Sequence, residues 1–263
     1  MFLLSKLVDL YFSLVLSSKW YRNTLYKAAI EHQLRHSKYG KLALSRLNNY
    51  MSKNHSTHQE FLKFADSSSY QQAFWASDLG FVWFNNSINN ENLYFKYALE
   101  NIVSNHLNKV LDVGCGWGAF CFEAAKIPGV TNVLGIDISE KIIKEAKIRH
   151  TANNLNYKVS EIFDVKENYD LVTIFGSIDY ISPDKIDTFL DKILALSNHQ
   201  IFIVNSLRGI PLEEAKRLTS SKEIKRYDLG YVQPLYHFFA NKNFKQFKYE
   251  KMGQDSQIIH IVK

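Results

Sequence analysis

Residues 110–120 read VLDVGCGWGAF, an apolar strand that enters three alternating glycines and then the apolar run Ala119–Ala125. Glycines at 114, 116 and 118 allow a tight turn and let the backbone approach a ligand with no Cβ in the way. The run Ala119–Ala125 has a helical pattern, and the first N–H groups of a helix are free to face polar ligand atoms. This stretch therefore predicts a strand, a turn and a helix with a ligand lying across the turn.

The rest of the chain from about residue 92 repeats the theme. Lys109–Val113, Asn132–Ile138, Tyr157–Ile162, Tyr169–Phe175 and Gln200–Asn205 are apolar runs separated by helical patterns. Such alternation predicts a parallel sheet of βαβ units, with ligands at the carboxyl ends of its strands. Ser139 is a natural N-cap for a helix over Glu140–His150, whose Ile142, Ile143 and Ala146 form the inward stripe. Ser182-Pro183-Asp184 predicts another helix start, which leaves Ser177–Ile181 as a loop after the fourth strand. Phe244–Lys251 and Gln257–Val262 alternate as strands on either side of Met252-Gly253-Gln254-Asp255, a hairpin.

Nicotinamide and flavin enzymes share a G-x-G-x-x-G relative of the turn. Here the spacing is G-x-G-x-G, Asp112 stands two residues before the first glycine, and Asp137 lies at the end of the next strand. In these features the chain resembles the class I S-adenosylmethionine-dependent methyltransferase family, over roughly Asn92 to Lys263. The resemblance implies an α/β, Rossmann-like, seven-stranded and mostly parallel sheet closed by an antiparallel hairpin, with S-adenosyl-L-methionine as cofactor. It further implies that Gly114, Gly116 and Gly118 border the methionine part, with Cys115 filling space beside it and Asp112 placing its ammonium group. Asp137 would accept both ribose hydroxyls and Ile138 would pack on the adenine. Phe163 and Asp164 would contact the adenine, with Glu161 standing in for Asp164 under a small register error. Phe175, Gly176 and Ser177 would lie beside the methionine, while Phe163 and Phe175 also read as core residues.

The acceptor is read from the residues after the fourth strand. Families that methylate base nitrogens often carry Asn/Asp/Ser-Pro-Pro-aromatic there, whereas this chain has Gly176-Ser177-Ile178-Asp179-Tyr180. Trp117 in the glycine run resembles cyclopropane fatty acid synthases, which usually lack an acid at the place of Asp137. A hydroxyl acceptor benefits from a base near its proton, and the candidates are Asp179, Tyr180 and His237. His237 lies in an inserted segment, Leu207–Asn241, with Tyr227, Tyr231 and Tyr236, and it also reads as a packed histidine. Aromatic faces and hydroxyls suit a sugar or a flat metabolite. The expected reaction is O-methylation of a small hydroxylated metabolite or glycan precursor. The alternatives are an RNA or lipid methyltransferase, and a non-catalytic cofactor-binding regulatory protein.

At 263 residues the chain exceeds the about 170–200 of a bare domain of this kind, and the surplus is at the front. Residues 1–90 have no proline and only Gly40 and Gly80, which predicts a helical N-terminal extension serving as a lid, substrate element or dimer element. Phe2–Leu16 is apolar but interrupted by Lys6 and Asp9, and it falls short of the roughly 20 residues of a spanning helix. It reads as a helix buried against the rest of the extension or a dimer partner, with peripheral membrane contact as the alternative. Nothing before it has the basic start of a signal peptide. Lys19–Lys53 carries eight Lys or Arg against Glu31, a net +7 in a chain of +6. That arm suits an anionic partner (a phosphorylated or nucleotide-linked substrate, an acidic lipid surface or RNA) or is a solvated helix face. Cys115 and Cys121 make no disulfide framework, so a cytoplasmic setting is expected. His32, His36, His55 and His58 show no metal-ligand pattern with a third ligand.

Overall fold

A computed structural model describes residues 93–207, 209–223, 230–253 and 256–263. The expected N-terminal extension, its apolar first helix and the basic arm lie outside the described residues, as does Tyr227.

The described fold is a single twisted layer of strands with helices on both faces. Helix α1 (93–104) leads into β1 (Lys109–Val113), α2 (Ala119–Ala125), β2 (Asn132–Asp137), α3 (Glu140–Arg149) and β3 (Leu155–Val159). The chain continues through β4 (Tyr169–Phe175), α4 (Ile186–Leu196), β5 (Ser197–Ser206) and the short helix α5 (Leu212–Ala215). A two-stranded ribbon of β6 (Lys222–Glu223) and β7 (Tyr231–Val232) precedes α6 (Leu235–Ala240), and β8 (Gln246–Met252) and β9 (Ser256–Val262) end the chain. The main sheet has seven strands in the order β3-β2-β1-β4-β5-β9-β8, with β9 antiparallel to both neighbours.

Alternation along the strands sends successive side chains to opposite faces. Val110, Val133, Leu171 and Phe202 pack with Ala98 and Ile102 of α1, Ala124 of α2 and Ala146 of α3. Leu111, Ile136, Val172 and Ile201 pack with Phe189, Leu190 and Ile193 of α4 and Phe239 of α6. Both faces are covered, which is why the central strands read as continuous apolar runs.

β1, α2 and β4 appear as expected, and several other elements shift in their bounds. β3 runs over Leu155–Val159 instead of Tyr157–Ile162, because Leu155 is the core residue that pairs with Val133. Ile162 and Phe163 then belong to a 3-10 turn, Ile162–Asp164. β2 stops at Asp137, leaving Ile138 in the turn to α3. Ser139 caps α3, its side chain accepting from the Ile142 N–H. Ser182 does not cap α4, because its carbonyl accepts the Lys185 N–H and closes a separate turn around Pro183, and the helix starts one turn later at Ile186. The loop expected at Ser177–Ile181 is wound into a 3-10 turn, Ser177–Tyr180.

Candidate functional site

The strand order reverses between β1 and β4, since the chain proceeds outward from β1 through β2 to β3 and then returns to the other side. In open α/β sheets such a switch point opens a crevice at the carboxyl ends of the two strands. The glycine turn comes after β1 and the Ser177–Tyr180 turn after β4, so both border this crevice. They are tied together by the Ser177 hydroxyl, which donates to the Val113 carbonyl at 2.7 Å.

Gly114 has φ 72° and Gly118 φ 77°, and Gly118 is the residue preceding α2. A Cβ on Gly114 would collide with Cβ and Oγ of Ser177, and one on Gly118 with the Tyr157 ring. Neither position accepts another residue without both backbone strain and displacement of a neighbour. The turn is also pinned from below: the N–H groups of Gly114 and Cys115 both donate to the Ile136 carbonyl, at 2.8 and 2.9 Å. Trp117 is buried, with the Arg149 guanidinium 4.6 Å from its ring centre.

Two carboxylates stand under this turn in different settings. Asp112, only 2% exposed, accepts from the Thr173 hydroxyl at 2.9 Å and from the Cys121 thiol at 3.5 Å. Burial pushes its carboxyl up to about 7, with the Thr173 and Cys121 bonds opposing. Asp137 is half-buried at the end of β2. Its Oδ1 accepts from the Ser139 N–H at 2.9 Å and its Oδ2 from the Gly116 N–H at 3.3 Å. Burial raises it to about 6, against the lowering effect of those N–H groups. The Ile138 N–H also bonds this carboxylate, and its four lone-pair sites exceed these three donors, which leaves acceptor capacity for a ligand hydroxyl. Burial also pushes the thiols of Cys115 and Cys121 up, which keeps them protonated and inert.

The other expected cofactor residues are spread around the same rim. Ile138 is half-buried after β2, and Phe163 and Asp164 are exposed in the turn after β3. The Phe175 ring packs 4.8 Å from both Phe95 and Phe120, tying the end of β4 to α1 and α2. Gly176, with φ 77°, has open space where a Cβ would stand.

The acceptor-side candidates occupy unlike places. Asp179 is 3% exposed and its carboxylate accepts from the Asn205 amide and the Ser206 N–H. Tyr180 is half-buried in the same turn, and His237 is exposed on α6. Sequence reasoning missed Thr173 and Tyr157 as partners of the cofactor turn. It also missed Asn205, Gln233 and Gln257, all fully buried amides beneath Asp179. The one signal available was a polar residue inside or ending an apolar strand.

The comparisons with known proteins agree with this geometry. The family model described as "Methyltransferase domain" matches residues 104–256, more than half of the chain, and the chain belongs to that family. Its fold is that of the class I S-adenosylmethionine-dependent methyltransferases. Magnesium protoporphyrin IX methyltransferase from Synechocystis PCC 6803, solved with bound SAH, superposes with a TM-score of 0.57 at 14% identity. The match covers 75% of this chain and 100% of that one. Among curated relatives, the mitochondrial ubiquinone biosynthesis O-methyltransferase of Candida albicans is 30% identical over 89 residues, 31% of this chain and 27% of that protein. The carboxy-S-adenosyl-L-methionine synthase of Campylobacter fetus is 35% identical over 99 residues, 36% of this chain and 42% of that protein. The chain thus spans less than half the length of these curated relatives.

S-adenosylmethionine is the cofactor of such a domain, and the residues present fit it. The glycine turn forms a cradle that a Cβ at Gly114 or Gly118 would spoil, and an ordered carboxylate at Asp137 faces it with free acceptor capacity.

Proposed function

We propose that the protein transfers the methyl group of S-adenosylmethionine to a hydroxyl of a small metabolite or glycan precursor. When bound, the cofactor supplies an electrophilic methyl on a sulfonium, so the chain's task is chiefly to hold an acceptor oxygen in line behind it. Such positioning contributes up to about 7–11 kcal/mol of barrier reduction. Asp137 holds the ribose, the glycine turn borders the methionine, and Asp112 sets the charge beneath it. Phe163 and Asp164, after β3, would contact the adenine, and Ile138, after β2, would pack on it. Tyr180 and His237 serve the acceptor side, and Asp179 acts there from the buried side of the turn.

The observation that carries the hydroxyl reading is the turn after β4. It is Gly-Ser-Ile-Asp-Tyr with no proline, it carries the half-buried Tyr180 next in the chain to the buried Asp179, and it borders the switch point. The net +7 of Lys19–Lys53 supports an acceptor bearing phosphate or a linked nucleotide. The test is transfer from methyl-labelled S-adenosylmethionine by the full chain across panels of sugars, sugar nucleotides, phenols, phospholipids and RNA. Label in the hydroxylated small molecules supports the reading. Label confined to RNA or lipid, or binding of the cofactor with no transfer to any panel, overturns it.

A further inference from the structure

Beneath the acceptor side lies a buried network that is separate from the two carboxylates of the cofactor turn. Asn205, at the end of β5, donates through Nδ2 to the Asp179 carboxylate and to the Tyr231 carbonyl, and its Oδ1 accepts from the Gln233 N–H and from Gln257 Nε2. That uses the full capacity of an asparagine amide. Gln233, just after β7, donates through Nε2 to two carbonyls of the Ser177–Tyr180 region, Ile178 at 2.8 Å and Ile181 at 2.9 Å. Its Oε1 accepts from the Ser221 hydroxyl at 2.6 Å. Gln257 connects onward to the Tyr249 hydroxyl on β8. One glutamine therefore bonds the carbonyls on either side of Asp179 and Tyr180, from a segment absent from the sheet's βαβ pattern.

The geometry points to Gln233, fixed by Asn205, as a positioning residue that sets the Ile178–Ile181 part of the acceptor-side turn, whose Ser177 end is tied to the cofactor turn. The inference rests on the methyl-transfer reading for its meaning, but the clamp can be judged on its own. No proton or group is transferred. Gln233 acts by donating a second hydrogen bond to the Ile178 carbonyl, which already accepts the Ile181 N–H, and one to the Ile181 carbonyl. The insertion then reports its register directly to Tyr180, so sequence changes near residues 221 and 233 tune which acceptor fits while leaving cofactor binding alone.

The test uses the full chain with two variants, Gln233→Met, which keeps the volume and loses the donors, and Gln233→Glu. Hydrogen exchange is measured in peptides covering residues 177–181, where the Asp179 and Ile181 N–H groups bond to the Gly176 and Ile178 carbonyls. In Gln233→Met these amides should exchange about tenfold faster or more, as expected for a turn that loses buried hydrogen bonds. In Gln233→Glu an ionised carboxylate faces two carbonyls, so protection should be lost at pH 8. It should return at pH 5, where a protonated acid donates again, with exchange normalised to wild type at each pH. The Met variant should show no such recovery, and that contrast separates a donor from mere space-filling. SAH affinity by calorimetry should match wild type in Gln233→Met. Unchanged exchange in the Met variant overturns the proposal, as does loss of SAH affinity in step with exchange. Wild-type protein that fails to bind SAH would refute the cofactor reading, and the exchange results would still decide the clamp.

Discussion

At the scale of single residues the site is governed by buried carboxyls. Asp112, at about 7, and Asp137, at about 6, both stand above their ordinary 3.8 because burial disfavours the charged form. A carboxyl raised in the native state keeps its proton where the unfolded chain has lost it. Native stability without ligand therefore falls as pH rises from 3.8 to about 7. A bound ammonium group would favour the carboxylate of Asp112, and ribose hydroxyls donating to Asp137 would favour that carboxylate. Affinity for S-adenosylmethionine should consequently rise over pH 5.5 to 8, with proton release visible as a buffer-dependent binding enthalpy. An affinity flat across that range would contradict the account. Thr173→Val removes the hydroxyl that opposes burial of Asp112, and should weaken cofactor binding about tenfold at pH 7. Gly114→Ala meets both a φ of 72° and the Ser177 side chain, so it should cost about 1–3 kcal/mol of stability in denaturant titrations and abolish SAH binding.

At the scale of elements, legibility in the sequence depended on locality. β1 and β4 are read correctly because both faces of each are covered, and a continuous apolar run has no competing interpretation. β3 is an edge strand with only Leu155 and Tyr157 buried, so its weak pattern left the register to the pairing with β2. Ser182-Pro183 carried a valid turn signal, but one that serves a separate turn before α4. In the site, Gly114 and Asp137 announce themselves through spacing, whereas Asn205, Gln233 and Gln257 do not, since the bonds that join Asn205 to Asp179 and Gln257, and Gln233 to Ile178, span 26 to 55 residues. Replacing Asn205 by Leu removes one donor to the Asp179 carboxylate and the acceptor of the Gln257 Nε2 group inside the protein. It should destabilise the fold by roughly 3 kcal/mol in urea unfolding, well beyond a surface change.

At the scale of the whole molecule, the strand order turns one sequence motif into a site. Only with β1 and β4 adjacent and their crossovers on opposite faces does the glycine turn meet the turn that bears Asp179 and Tyr180. The same order places the Asp137 carboxylate beside the glycine turn, from the strand on the other side of β1. The central claim is that this arrangement holds S-adenosylmethionine, and calorimetric titration of the full chain with S-adenosylmethionine and SAH, beside Asp137→Ala, tests it most directly. Saturable binding of both by wild type, weakened about 100-fold or more in the variant through loss of two charge-assisted bonds to the ribose, is the predicted result. Folded wild-type protein that binds neither, or a variant that binds as wild type does, would contradict it.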